Sequence, residues 1–142
     1  MKNEVIKKVN KLIRKYGTNN PFEICENLGI WYYFLPLGKV KAHYIYSKRK
    51  KVFFINENLS ELEKYFCAAH ELGHALMHTK TNVYFNNSNT FFNSKKHEIE
   101  ADFFAANLLI SNTLLEEFEG FNLETISNVT GIDIKYLKLK FK

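Results

Sequence analysis

The pentapeptide His70-Glu71-Leu72-Gly73-His74 constrains this chain more than any other feature of its sequence. On an α-helix, residues four positions apart are separated by about 400° of rotation, so both imidazoles project from one face. Two neutral ring nitrogens at that spacing can reach a single zinc ion at about 2.0–2.1 Å. Glu71 is turned by about 100° from His70, so its carboxylate can reach a zinc-bound water without being a ligand. The motif therefore predicts zinc-dependent hydrolysis of a peptide bond, with His70 and His74 as ligands and Glu71 as general base.

A third protein ligand is needed, because a catalytic zinc site usually has three of them and one open position. The segment 97–102 offers Glu98 and Glu100, which lie about 200° apart on a helix and so cannot face the same ion. The Glu98 face also carries Asp102 and the small Ala105, and small residues let two helices approach closely. A carboxylate at Asp102 could hydrogen-bond the outer nitrogen of a ligating histidine. We predict Glu98 as the third ligand of one zinc ion per chain and Asp102 as that hydrogen-bond partner, with Glu100 as the alternative ligand.

Five other side chains carry groups that could act near a metal. Cys67 and His78 lie on nearly the same helical face as the motif histidines, but a third ligand from one straight helix would diverge from the ion. We expect Cys67 to be a buried thiol and His78 to make hydrogen bonds near the site. His97 and Tyr84 are candidates to stabilise an oxyanion, a role that their spacing assigns to neither. His43 falls in a predicted strand and is expected to be structural.

The chain as a whole has the balance of a folded domain. Its 142 residues are 46% hydrophobic and 25% charged, which is too apolar for a disordered chain and sufficient for a core without disulfides. We expect a single metallopeptidase domain over 1–142. Within it we expect N-terminal helices in 1–29, the sheet and the zinc-binding helices in 30–110, and a helical C-terminal segment in 111–142.

Cysteine content and charge bear on compartment and partners. Two cysteines without framework spacing, and an N-terminal segment whose apolar residues are interrupted by lysine and arginine, predict a cytoplasmic protein without a membrane span. The net charge of +5 raises the question of nucleic acid. Much of the excess is spread through the terminal helices and the turn 47–51, which is typical of a solvated surface. Direct binding of nucleic acid is therefore not expected.

The hydrophobic pattern predicts an α+β fold. We expect a compact zincin-like domain in which a small, mainly antiparallel three-stranded sheet packs on the motif helix and on a glutamate helix. The predicted strands are 30–35, 42–46 and 52–55, the last two as a hairpin. Ser60 with Glu63 matches a capping box, so the motif helix should begin near residue 60. The glutamate helix is predicted over 96–110, and the polar segment 79–95 as a lid, a short hairpin, a substrate-contacting loop or a loop without a role.

Three stretches resemble the ImmA/IrrE family of zinc metallopeptidases. They are PFEI before LGI, the run FFINENLSELEKYFCAAHELGHALMH, and EIEADFFAANLLI, which is similar to the family pattern E-x-E-A-[ND]-x-F-A-A-x-L-L. The resemblance implies a gluzincin-like core, with His70, His74 and Glu98 as zinc ligands and Glu71 as the base. The chain departs from the family at Ile110-Ser111, where members often continue with Met-Pro, and this affects only the following turn.

The same resemblance implies a substrate. Family members are often encoded by phages and mobile elements beside a helix-turn-helix repressor, and some cleave that repressor to relieve repression. We expect such a repressor to be cut in an extended segment that pairs with a sheet edge, with 52–55 as the candidate edge. The alternatives are a regulatory or toxin–antitoxin partner that binds a repressor without cutting it, and a DNA-binding module. The second would use 123–141, where a helix, a glycine turn and a basic helix follow one another.

Overall fold

The structure, a computed structural model, describes residues 2–78 and 91–142. Its helices and strands are, in chain order, α1 (Lys2–Tyr16), α2 (Pro21–Leu28), β1 (Trp31–Leu35), β2 (Ala42–Ser47), β3 (Lys50–Asn56), α3 (Glu61–Met77), α4 (Phe91–Leu109), α5 (Leu114–Glu117), α6 (Leu123–Thr130) and α7 (Ile134–Phe141). The predicted α+β class is confirmed. The glutamate helix α4 begins earlier than the predicted residue 96, and the rest of the predicted lid or loop, including Tyr84, lies outside the described residues.

The described strands form a three-stranded sheet in the order β1-β3-β2. β2 and β3 form the predicted antiparallel hairpin, whose turn residues Lys48 and Arg49 have positive φ angles of 50° and 67°, as a type I′ hairpin turn requires. β1 pairs with β3 in parallel, so the sheet is mixed rather than mainly antiparallel. The reason is that the chain reverses direction twice between β1 and β3. The segment 52–55 is therefore central and paired on both sides, and the expectation that it offers a free edge to substrate was wrong.

The motif helix α3 begins where the sequence predicted. Ser60 caps it, because its hydroxyl accepts a hydrogen bond from the Glu63 backbone N–H at 3.2 Å. The inner face of α3 is apolar, and Phe66, Ala69 and Leu72 are each at most 5% exposed. This face packs against the sheet and α4, and it fixes the rotation of α3 and hence the direction of the histidines.

The helices α3 and α4 approach closely because small residues lie between them. A Cβ atom added at Gly73 would lie 3.2 Å from three side-chain atoms of Phe104. On α4, Ala101 and Ala105 are fully buried. The glycine of the HELGH motif therefore sets the spacing between the helix that carries the histidines and the helix that carries the glutamates.

The C-terminal helices α6 and α7 form a hairpin that turns at Gly131, which has a φ of 81°. Ile126 on α6 and Leu137 on α7 are fully buried, and α7 packs against α4. The segment with a helix-turn-helix pattern is thus a helical hairpin on the core. Within the described ranges, no helix combines the length and the apolar character that crossing a membrane requires.

We expect Gly73→Val to lower the free energy of unfolding by about 1–3 kcal/mol, because its side chain would overpack the contact with Phe104. Urea denaturation of the metal-free protein measures this. Lys7→Val on the exposed face of α1 controls for the cost of a β-branched residue in a helix, and it should change stability by less than about 0.5 kcal/mol. Equal midpoints for the two variants would contradict the close approach of α3 and α4.

Candidate metal centre

The two motif histidines point their Nε2 atoms at one place. His70 Nε2 and His74 Nε2 are 3.1 Å apart, and the two side chains are 14% and 8% exposed. The helical spacing of the motif brings the rings together, and the buried inner face of α3 turns them toward α4.

Glu98 on α4 completes the cluster. Its Oε2 lies 2.8 Å from His70 Nε2, and its Oε1 lies 2.8 Å from His74 Nε2. Glu100 points elsewhere on the same helix, with its Oε1 3.2 Å from His78 Nε2. The structure therefore brings Glu98, and not Glu100, to the histidine pair.

The outer nitrogens of both rings are also engaged. His70 Nδ1 donates a hydrogen bond to Asp102 Oδ1 at 2.7 Å, and His74 Nδ1 lies 3.0 Å from His78 Nδ1. A proton on each Nδ1 leaves the lone pair of each Nε2 directed at the shared point. Lys135 on α7 lies 3.8 Å from the other oxygen of Asp102 and adds an ion pair at the half-exposed rim.

The donor set fits a divalent metal ion. Two imidazole nitrogens and a carboxylate converge at separations of 2.8–3.1 Å. A tetrahedral ion with bonds of about 2.0–2.1 Å needs donor separations of about 3.3 Å, so a small expansion of the cluster would accommodate one. His70, His74 and Glu98 would be the residues that hold it, and a fourth position would face the cavity.

The charges of the cluster depend on one another. Burial alone would lower the pKa of His70, but its hydrogen bonds to Asp102 and Glu98 outweigh burial and raise that pKa to about 10. Burial would raise the pKa of Glu98, but its hydrogen bonds to His70 and His74 hold it well below the usual range. Both shifts show that the cluster favours a positive charge beside Glu98, which a bound metal ion would also supply.

Glu71 lies beside the cluster without joining it. It is 7% exposed, and its Oε2 is 4.0 Å from His70 Nε2. Burial raises its pKa, and the nearby His70 and His74 oppose that shift. A carboxylate with a raised pKa is a stronger base than an exposed glutamate, which suits it to accept a proton from water.

The cluster opens into a cavity of about 530 Å³ between α3, β2 and α7. Ala42, His43 and Tyr44 of β2 line one side, and Lys135 and Tyr136 of α7 line another. His43 was expected to be structural, but its side chain is exposed and faces this cavity. Sequence reasoning missed Tyr136 altogether, because helical periodicity gives no signal for contacts between elements far apart in the chain.

The remaining candidates from the sequence, Cys67, His78 and His97, lie near the histidine–glutamate cluster but are not part of it. Cys67 is half-buried and lines the cavity instead of lying in the core, and burial raises the pKa of its thiol to about 11. His78 makes the expected hydrogen bonds near the site. Its ring stacks on that of His97, with centroids 4.0 Å apart. Burial lowers the pKa of His78, which favours the neutral form of the ring.

The fold and the converging donors are typical of a metal-dependent peptidase. The family model of peptidase family M78, described as the IrrE N-terminal-like domain, matches residues 25–132, and the chain belongs to this family. This confirms the resemblance seen in the motifs. The chain is therefore a metallopeptidase that binds a metal ion.

Two relatives span most of the chain. One is 34% identical over 137 residues, which cover 93% of this chain and 85% of the relative, and is named "Uncharacterized immunity region protein 2" of Bacillus phage phi105. The other is 30% identical over 124 residues, which cover 84% of this chain and 73% of the relative, and is named "Metallopeptidase ImmA" of Bacillus subtilis (strain 168).

We expect Glu98→Gln to weaken metal binding more than 100-fold, beyond the loss of about 10–100-fold typical of an outer hydrogen-bond partner. The substitution removes a negative charge 2.8 Å from both Nε2 atoms. Competition with a chromophoric chelator measures the affinity. Glu63→Gln is a matched control, because Glu63 also lines the cavity and should bind metal like the wild type. Unchanged affinity in Glu98→Gln would remove Glu98 from the site.

Proposed function

We propose that this protein is a zinc endopeptidase of the HExxH type, with one zinc ion held by His70, His74 and Glu98. The observation that carries the proposal is the convergence of these three donors beside the buried carboxylate of Glu71. Two nitrogens, one carboxylate oxygen and an open fourth position are the usual environment of catalytic zinc. Asp102 supports the assignment, because its hydrogen bond of 2.7 Å holds the His70 ring with Nε2 toward the site.

Glu71 is the proposed general base. When bound, zinc lowers the pKa of a coordinated water to about 7 and polarises the substrate carbonyl. Glu71 would accept a proton from the attacking water as the water oxygen bonds to the carbonyl carbon of the substrate. The carboxyl group then gives the proton to the amide nitrogen as the carbon–nitrogen bond breaks, so that one water yields an acid and an amine.

Two cavity-lining side chains are the candidates to donate a hydrogen bond to the carbonyl oxygen. Burial raises the pKa of Tyr136, so its phenol stays protonated and can donate. Its ring stacks on Phe66 at a centroid distance of 4.5 Å, which fixes its position. His43 lines the opposite wall on β2. Loss of the group that acts in this way should cost about 10²–10³-fold in kcat without loss of metal.

The strand β2 is the proposed support for substrate. It is an edge of the described sheet, and its first three residues line the cavity beside the metal cluster. An extended peptide can add to such an edge through main-chain hydrogen bonds. We therefore propose β2, and not the central segment 52–55, as the strand that pairs with substrate. The hypothesis that an extended segment is cut is unchanged.

The proposed substrate is a helix-turn-helix repressor, cut in the cytoplasm to relieve repression. The names of the two relatives, a metallopeptidase and a phage immunity region protein, support a role in phage immunity. The repressor itself is inferred from the family resemblance of the motifs. The helices with a helix-turn-helix pattern belong to the core and the cavity wall here, which favours a peptidase over a DNA-binding module.

Glu71→Gln should abolish cleavage of a repressor encoded beside this protein while leaving zinc content near one per chain. A glutamine keeps the shape of the side chain but cannot accept the proton, a loss of about 10²–10⁴-fold. Gel electrophoresis and mass spectrometry of the products, with zinc content measured in parallel, test this. His70→Ala should lose both zinc and activity.

Cleavage that persists in Glu71→Gln, or in wild-type protein treated with a chelator, would contradict the mechanism. A tight complex of the wild-type protein with an intact repressor would instead favour the binding partner that does not cut.

Peptides that span the repressor should be cut at the same bond as the folded protein, and at least as fast, because a peptide is free to extend along β2. Single-turnover rates for the two substrates make the comparison. Cleavage of the folded repressor alone would contradict recognition of an extended segment.

A further inference from the structure

His78 has both ring nitrogens engaged although it lies outside the metal cluster. The side chain is 5% exposed, with Nδ1 3.0 Å from His74 Nδ1 and Nε2 3.2 Å from Glu100 Oε1. Glu100 is 17% exposed, so these contacts are largely shielded from water. The three groups form a row that begins at a proposed zinc ligand and ends at a carboxylate.

The chemistry of the row fixes the position of each proton. The Glu100 carboxylate can only accept, so a neutral His78 carries its proton on Nε2 and donates it to Glu100. His78 Nδ1 is then an acceptor, and the contact between the two Nδ1 atoms needs His74 Nδ1 to donate. His74 therefore keeps a lone pair on Nε2, which is the atom directed at Glu98 and His70.

We propose that His78 and Glu100 are positioning residues that hold His74 in the tautomer and orientation needed to bind the metal. This inference rests on the proposed function, in which His74 is a ligand. His78 would do for His74 what Asp102 does for His70, but as a neutral ring whose hydrogen bond to Glu100 makes its Nδ1 a stronger acceptor. Both ligating rings would then be fixed by carboxylates on α4, one directly and one through His78.

A second metal site is the alternative explanation for the grouping of His78 with Glu100 and His97. The donor atoms of His78, His97 and Glu100 all lie within 4.8 Å of one another. However, the rings of His78 and His97 are stacked with an interplanar angle of 18°, so their lone pairs lie in two nearly parallel planes, an arrangement that disfavours convergence on one ion. An ion on His78 Nε2 would also place the proton on Nδ1, which would reverse the tautomer of His74 and remove it from its own metal.

Zinc affinity in four variants tests the proposal. His78→Ala and Glu100→Ala should each weaken binding by about 10–100-fold. His78→Gln should restore part of the loss, because its amide oxygen can accept from His74 and its amide nitrogen can donate to Glu100. Glu100→Gln should also restore part, because its amide oxygen can accept from His78. Wild-type affinity in both alanine variants would overturn the proposal.

His97→Ala is the matched control, because His97 contacts the same ring but stands outside the row. It should bind one zinc with wild-type affinity. Two zinc ions per wild-type chain, one of which is lost in His97→Ala, would overturn the proposal in favour of the second site. Thermal unfolding of each metal-free variant separates a local effect on the metal from a loss of folding.

Nitrogen-15 NMR spectra of the zinc-loaded protein report which ring nitrogen of each histidine carries the proton. These tautomers would not change if His78 and Glu100 only stabilised the fold. We expect the proton of His74 on Nδ1 and that of His78 on Nε2, with the preference of His78 relaxed in Glu100→Ala. A proton on His78 Nδ1 in the wild type would overturn the proposal. Wild-type zinc binding by His74→Ala would instead overturn the proposed function, whereas loss in that variant alone would leave it standing without this inference.

Discussion

The close contact of α3 with α4 is the constraint on which the cluster of proposed metal donors depends. His70 and His74 lie on α3 and Glu98 lies on α4, so the distances from the two histidine nitrogens to the Glu98 carboxylate depend on the separation of the two helix axes. Gly73 permits that separation, and Phe104 fills the space beside it. A glycine inside a helix costs about 1 kcal/mol relative to alanine, and here that cost is offset by contacts that a larger residue would prevent.

The two glutamates nearest the histidines, Glu98 and Glu71, have pKa values that are shifted in opposite directions. Glu98 is half-exposed, and its hydrogen bonds to His70 and His74 hold its pKa well below the usual range. Glu71 lies a short distance away and has a pKa that burial raises. His70 and Glu71 are neighbours on α3, but about 100° of helical rotation separates their side chains, so the Glu71 carboxylate lies beside the proposed metal donors without joining them.

Helical periodicity predicted most of what lies within a single element. It grouped His70 with His74, separated Glu98 from Glu100, and placed Asp102 near the first carboxylate. Helical periodicity did not predict the contacts between elements. The parallel pairing of β1 with β3, and the approach of His43 and Tyr136 to the cavity, depend on how strands and helices pack. Glu100 also contacts His78, the residue that follows α3. The sequence did not predict this contact, because a deeply buried helix such as α4 packs on more than one face.

The wall that α7 contributes to the cavity has a consequence for access. The proposed metal donors lie on α3 and α4, whereas α7 is an eight-residue helix that follows the turn at Gly131. Short elements near a turn open locally at a lower free energy than the core helices on which they pack. Outward movement of α7 would therefore widen the entrance for a bulky protein chain while the metal donors keep their positions. Movement of α7 would also displace Tyr136 and Lys135, so the width of the entrance and the polar groups that line it would change together.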